Sequence, residues 1–200
     1  IHGDAGIYRD PIGREIRVFN KTASTNDIVE KIARDGAPEG VVVFAETQTR
    51  GRGRMGRRWV SPAKKGLWFS ILLRPNLRTE SATQITVSTA TALARAISSV
   101  IDRKVEIKWP NDLLIDGKKI AGILTEMSAE LDGIKYLVVG IGVDVNLSAS
   151  ELPPELLGIA TSLRMVAGKK IDRPALAARM LEELDHDYSR IVAGQFRELA

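Results

Sequence analysis

Five arginines and three glycines fall in one short stretch, Glu46-Thr47-Gln48-Thr49-Arg50-Gly51-Arg52-Gly53-Arg54-Met55-Gly56-Arg57-Arg58-Trp59. Like charges at that density repel one another, and glycine removes the steric limits that would hold the backbone in one shape. The spacing predicts a mobile loop that orders only around an anion, its guanidinium groups serving as forked donors to carboxylate or phosphate. Lys108-Trp109-Pro110-Asn111-Asp112 and Lys119-Ile120-Ala121-Gly122 add two ammonium groups beside polar side chains. A fixed ammonium can stabilise charge developing on a transferring phosphoryl group. Gly140-x-Gly142 interrupts an apolar run, which marks either a close ligand approach or a bulge.

Context removes several other chemistries. Gly51-Arg52-Gly53-Arg54-Met55-Gly56 matches G-x-G-x-x-G, but a dinucleotide-binding turn opens directly into a helix and has an acidic residue about 20 positions on. Here Trp59 and Ser61-Pro62 follow, and residues 71–76 hold no carboxylate. No G-x-x-x-x-G-K-[ST] is present, so any phosphate must be held by arginines instead of a P-loop. A nucleic-acid-binding segment remains as a different class of function, although no second basic cluster extends a track from the loop. Ser24 and Thr25 read most simply as helix caps, and Lys108 as an exposed lysine ending a strand. His186 stands among Glu182, Glu183, Asp185 and Asp187 like a solvated helix face, and His2 lies near the first residue. No His/Asp/Glu spacing suggests a dedicated metal cage.

The elements that must position these residues follow from periodicity. Residues 15–19 alternate as a strand, and a helix runs from Ser24 or Thr25 to an Asp35-Gly36 stop. Val41–Ala45 is a continuous apolar run of the kind buried on both faces, and it delivers the chain into the arginine loop. Leu67–Leu73 resumes a strand. The longest helical pattern covers 83–101, apolar at Ile85, Val87, Ala90, Leu93, Ala94 and Ile97. Residues 105–108, 113–115, 119–127 and 134–143 read as strands joined by turns at Asn111-Asp112, Asp116-Gly117 and Asp132-Gly133. A short helix at 161–167 ends at Gly168, and Asp172 with Pro174 opens a last helix to about residue 193. The pattern predicts an α/β (α+β) chain with one mixed, largely antiparallel sheet flanked by helices.

At 200 residues, with 44% hydrophobic and 27% charged side chains, the chain has the makeup of one soluble globular domain. The net charge of +4 owes much to the arginine stretch, which favours a local anion site over a nucleic-acid coat. Cysteine is absent, which excludes disulfides, thiolate metal sites and a cysteine nucleophile, and fits a reducing, cytoplasmic setting. No apolar run reaches membrane-spanning length, and Ile1-His2-Gly3-Asp4 has no signal-peptide character. Residue 1 is isoleucine, so flanking domains are expected beyond this chain.

Four segments stand in one order: Ser24-Thr25-Asn26; Gln48 with Gly51-Arg52-Gly53-Arg54-x-Gly56 and Trp59; Lys108-Trp109-Pro110-Asn111-Asp112; and Lys119-Ile120-Ala121-Gly122-Ile123-Leu124 before Gly140-x-Gly142. Together, over about residues 16–147, they resemble the catalytic domain of biotin protein ligases, also called biotin–[acetyl-CoA-carboxylase] ligases. The resemblance implies a fold like the class II aminoacyl-tRNA synthetase catalytic domain. It also implies a two-step reaction in which biotin and MgATP form biotinyl-5'-AMP, and a lysine of a biotin carboxyl carrier domain then takes the biotinyl group.

By the same resemblance Ser24, Thr25 and Gln48 would hold the biotin ring head. Arg52 and Arg54 would face carboxylate and phosphate, and Lys108 would be the main catalytic cation. Lys119 would be a second contact near the acyl-phosphate, with Asn111 on the nucleotide side and Trp59 closing the adenylate pocket. Gly51, Gly53, Gly122, Gly140 and Gly142 would permit close backbone approach. Asp144 stands where the family commonly has asparagine, and a carboxylate there cannot donate and would repel phosphate. Met55 stands where the family is often basic. The family usually adds a small SH3-like C-terminal domain, which is not expected in this chain, and some members carry an N-terminal winged helix-turn-helix. Nothing before Ile7 shows one, so DNA enters as a partner only through a domain outside this chain, and homodimerisation stays open. The alternatives are a lipoate or octanoate ligase of the same fold and, from another class, an arginine-loop nucleic-acid-binding module.

Overall fold

A computed structural model describes residues 11–131 and 133–195, and within them the apolar runs become strands. These are β1 (Glu15–Phe19), β2 (Val41–Ala45), β3 (Leu67–Leu73), β4 (Glu106–Lys108), β5 (Asp112–Ile115), β6 (Lys118–Glu130) and β7 (Gly133–Val143). The helices are α1 (Thr25–Arg34), α2 (Ala82–Ser98), α3 (Leu163–Ala167) and α4 (Arg173–Val192). One sheet holds all seven strands in the order β1-β2-β3-β7-β6-β5-β4. β1 and β2 run parallel across the α1 crossover, and every other neighbouring pair is antiparallel.

Because successive strand residues point to opposite faces, each strand divides its side chains between two layers. Leu67, Phe69, Ile71 and Leu73 of β3 and Leu137, Val139, Ile141 and Val143 of β7 pack with Leu93 of α2 and Leu176 of α4 in the main core. On the opposite face Val29 and Ala33 of α1 cover Val41, Val43, Leu72, Tyr136 and Val138. At 10 residues, α1 is too short to cover that whole face. Past its N-terminus, the α1 side of the sheet carries Trp68, Ser70, Gly140 and Gly142, and a cleft forms there.

Most expected boundaries hold. Asp116 and Gly117 turn the β5–β6 hairpin with φ of 49° and 72°, the pair of positive values that a tight two-residue turn needs. α2 is shorter than 83–101, and its buried stripe includes Ser88 and Thr89 while Val87 and Ala94 stay half-buried. Thr89 Oγ1 returns a 2.7 Å hydrogen bond to the Ile85 carbonyl, so that burial leaves no unsatisfied donor. The helix expected from 161 starts at Leu163, where the Ser162 hydroxyl caps it by accepting from the Met165 N–H, and it stops at Gly168 with φ 68°. Asp172 caps α4 ahead of Pro174 as expected. β7 pairs without a register shift at both Gly140 and Gly142, so the bulge reading of that pattern fails. Asp132, His2 and residues 196–200 lie outside the described residues.

Candidate active site

The arginine loop leaves the C-terminal end of β2 and is stitched into short ladders by the bridges Thr22 with Gln48, Gln48 with Ser61, and Arg52 with Arg58. The expectation that only an external anion would order it needs correction, because the protein supplies anions of its own. Arg52 forms ion pairs with Asp27 in the first turn of α1 and with Glu126 of β6, while Arg54 donates to Asn111 Oδ1 at 2.6 Å. Charge repulsion within the loop is thereby offset by carboxylates from two separate elements. Glu126→Gln keeps the shape but removes the charge on which Arg52 and Asn26 converge. At a cost of about 1–2 kcal/mol to the closed loop, tryptic cleavage between Arg50 and Arg58 in the ligand-free protein should speed up roughly 5–30-fold. Equal cleavage rates in variant and wild type would show that Glu126 does not hold the loop.

A continuous hydrogen-bonded chain links the loop to the head of α1. Gln48 Nε2 donates to Ser61 Oγ, and Gln48 Oε1 accepts from both the Thr25 amide (2.8 Å) and the Thr25 hydroxyl (3.1 Å). Thr25 Oγ1 meets Ser70 Oγ at 2.7 Å, Ser70 donates to Asn26 Oδ1, and Asn26 Nδ2 donates to Glu126 at 2.7 Å. Ser24 occupies the N-cap position but makes no side-chain cap bond, so the simple capping reading fails for it. The open donor at the helix start is satisfied by the loop's Gln48, which leaves the Ser24 hydroxyl unspent at the positive end of α1.

The cleft between these parts is narrow, with a volume of about 50 Å³, well below that of an open small-molecule site. Ser24, Thr25, Gln48, Arg52, Gly53 and Arg54 line it together with Trp59, Asn111, Lys119, Gly122, Gly140 and Gly142. Asn26, Asp112, Ile123, Leu124 and Ile141 line it as well, and the sequence reading had not assigned them to the site. All five stand inside the ordered motifs, which carry no mark of which members face the cleft.

The glycines accommodate the protein's own side chains. A Cβ on Gly140 would fall closer than 3.0 Å to Asn26, and one on Gly122 or Gly142 would fall closer than 3.0 Å to the Trp59 ring. Gly51 does not line the cleft; its missing side chain makes room for the Trp59 carbonyl and the Gln48 amide inside the loop. Lys119 Nζ lies 5.2 Å from the Trp59 ring centroid and 2.8 Å from Asp112. Lys108 stands outside the lining on exposed β4, paired in register with Asp112, and its ammonium has no partner among the described residues. Asp144 also lies just off the lining and is 7% exposed. Burial pushes its carboxyl up to about 8 against the lowering influence of Lys119. His186 is exposed on α4 beside Asp187, remote from this cleft.

With the geometry in hand, residues 18–146 match the model of the biotin/lipoate A/B protein ligase family. The "Bifunctional ligase/repressor BirA" of Bacillus subtilis is 41% identical over 176 residues, a match that covers 88% of this chain and 54% of that protein. The "Biotin--[acetyl-CoA-carboxylase] ligase" of Mycobacterium tuberculosis is 32% identical over 177 residues, covering 86% of this chain and 63% of that protein. The chain thus spans about half to two thirds of the length of these relatives. Among solved structures, the biotin protein ligase from Aquifex aeolicus in complex with biotin and ATP superposes with a TM-score of 0.80 at 30% identity, covering 92% of this chain and 75% of that one. The seven-stranded mixed sheet with its flanking helices is the fold of these ligases. A family model spanning more than half the chain, and relatives this similar, settle the assignment: the chain belongs to the biotin/lipoate A/B protein ligase family.

Proposed function

We propose that this chain joins biotin to a specific lysine of a biotin carboxyl carrier domain through biotinyl-5'-AMP. The observation that carries the reading is convergence. The head of α1, the arginine loop, the Asn111-Asp112 turn, Lys119 and the glycines of β6 and β7 all line one cleft, which brings hydrogen-bonding groups and cations together.

In the first step a biotin carboxylate oxygen bonds to the α-phosphorus of ATP and pyrophosphate leaves. Both reactants are anionic, so fixed cations must bring them together, and holding them oriented removes much of the entropic barrier. Arg52 and Arg54 of the loop, and Lys108 from outside the lining, would serve that task, while Ser24, Thr25 and Gln48 would hold the ring head. In the second step the carrier lysine amine attacks the acyl carbon and AMP leaves with the bonding electrons. Until then the mixed anhydride must be kept from water, which suits a loop folded over the cleft. Mg²⁺ would arrive with the nucleotide, because the described residues hold no cluster of three or more metal-type ligands. No helix among them is long and apolar enough to cross a membrane, and a cysteine-free chain acting on ATP fits the cytoplasm.

The alternatives fare worse on particular residues. An acyl chain such as octanoate wants a long apolar channel, whereas the Ile123 and Ile141 side chains belong to the main core on the other face of the sheet, which leaves Leu124 on the cleft side among mostly polar lining residues. A nucleic-acid module wants its arginines free along an open track, yet Arg52 and Arg54 are tied to Asp27, Glu126 and Asn111. Incubation with biotin, MgATP and an apo carrier domain, followed by a streptavidin blot, should label the carrier. Labelling no stronger than in a control without ATP would sink the proposal.

A further inference from the structure

The loop that carries Arg52 also carries Trp59, and its two arms are tied to each other. The Gly53 N–H donates to the Arg57 carbonyl at 2.7 Å, the Trp59 N–H donates to the Gly51 carbonyl at 2.8 Å, and Arg52 and Arg58 form an antiparallel bridge. Residues 51–59 are therefore a small hairpin whose arms move together. At its base Thr47 and Gln48 both donate to Ser61, which fixes the point about which the hairpin would swing.

One arm plugs the cleft and the other holds the plug down. The Trp59 ring lies on Gly122 and Gly142, so near that a Cβ on Gly142 would come within 2.5 Å of the ring. The bare backbone at those glycines is already covered, and the cleft keeps only about 50 Å³ where small-molecule sites have about 300–1,000 Å³. No hydrogen bond of its own side chain fastens the plug. Its indole Nε1 is buried with no partner among the described residues, a cost that contact with water would remove. Lys119 Nζ at 5.2 Å and the edge-on Trp68 ring at 6.4 Å touch the ring but leave Nε1 unbonded. On the other arm Arg52 is gripped by Asp27 of α1 and Glu126 of β6, and the three side chains are 37%, 40% and 43% exposed. Water and salt reach these pairs, so they part without leaving a charge buried. The unbonded indole favours opening and the ion pairs oppose it, which balances the hairpin between two positions.

We propose that Asp27 and Glu126 are the two halves of a latch: by holding Arg52 they hold the Trp59 plug on Gly122 and Gly142, and a ligand enters only after Arg52 is released. Both acids are positioning residues, since they act through Arg52 and need not touch the ligand. The entry step rests on biotin being the ligand, as argued above, whereas the opening step does not. Salt acts with opposite sign on a latch and on an open site. An anion steered to free arginines binds more slowly as salt rises. A latch made of exposed ion pairs opens faster, because salt screens the attraction that closes it.

Exchange of the Trp59 indole proton with water, followed by NMR on the isotope-labelled full chain, reads the opening with no ligand added. Combining Asp27→Asn with Glu126→Gln should speed that exchange at least about tenfold. The Trp68 indole, which donates to the Pro62 carbonyl, should change by less than about twofold, because local opening leaves it in place. In the wild type, raising salt from about 0.05 M to about 0.5 M should speed Trp59 exchange roughly two- to threefold, and the double variant should not respond. Equal Trp59 exchange in the two proteins, or Trp68 exchange rising in step with it, would overturn the proposal. Stopped-flow mixing with biotin then reads entry. The wild-type rate should level off at high biotin, and both salt and the double variant should raise the plateau. A rate that climbs linearly with biotin and falls with salt would overturn the gate. No biotin binding, with Trp59 exchange behaving as expected, would overturn the ligase reading and leave the latch standing.

Discussion

Replacing Lys108 with alanine should lower the rate of adenylate formation by about 10²–10³-fold, the scale for losing one preorganised charge donor. Biotin affinity should change by less than roughly threefold, because an interaction made only in the transition state leaves ground-state binding alone. The reason lies in how the cations around the cleft are spent. Arg52 is held by Asp27 and Glu126, Arg54 by Asn111, and Lys119 by Asp112. Lys108 alone of these four has no partner among the described residues, and it sits at the rim, one strand pair from Asp112. A free ammonium can follow charge as it develops on phosphorus without first breaking an ion pair. Single-turnover adenylate formation and a biotin titration separate the two effects. Equal losses in both would make Lys108 a binding residue.

Gly140→Ala should be the most damaging small substitution in the site. Its new Cβ would fall closer than 3.0 Å to Asn26, which is 4% exposed and held at one end by Ser70 and at the other by Glu126. Asn26 cannot yield without leaving buried donors and acceptors unpaired, at about 1–3 kcal/mol for each group. That corresponds to a fall in Tm of roughly 2–4 °C per kcal/mol for a chain of this size. The disturbance also reaches Thr25 and Gln48 through Ser70, so biotin binding should weaken with stability. Adding Asn26→Ala to Gly140→Ala removes the clash and should recover part of the Tm. If the double variant is less stable than the two single losses predict when added, the steric account is wrong.

The residue pattern was a good guide to elements and a poor one to partners. The apolar runs of β2, β3 and β7 are bounded by Gly, Pro and loop residues, and each became a strand where expected. The ordered motifs also foretold which segments meet, since most of the assigned residues line one cleft. What stayed hidden depended on long-range geometry. Arg52 and Glu126 are 74 positions apart, and nothing local marks Glu126 as the acid that steadies the loop. Alternation tells which face Gly140 is on, but not that Asn26 fills the space above it. Lys108 reads the same whether it points into a cleft or stands at its rim. The protonation of Asp144 depends on a desolvated setting that only the folded chain creates.

The central claim is that the Thr25–Gln48 end of the cleft, with Ser24 beside it, is built for the biotin ring, and parallel calorimetric titrations of the chain with biotin and with lipoate test it most directly. Saturable binding of biotin with little or none of lipoate is the expected result. Lipoate binding as tightly as biotin, or biotin failing to bind at all, would contradict the account.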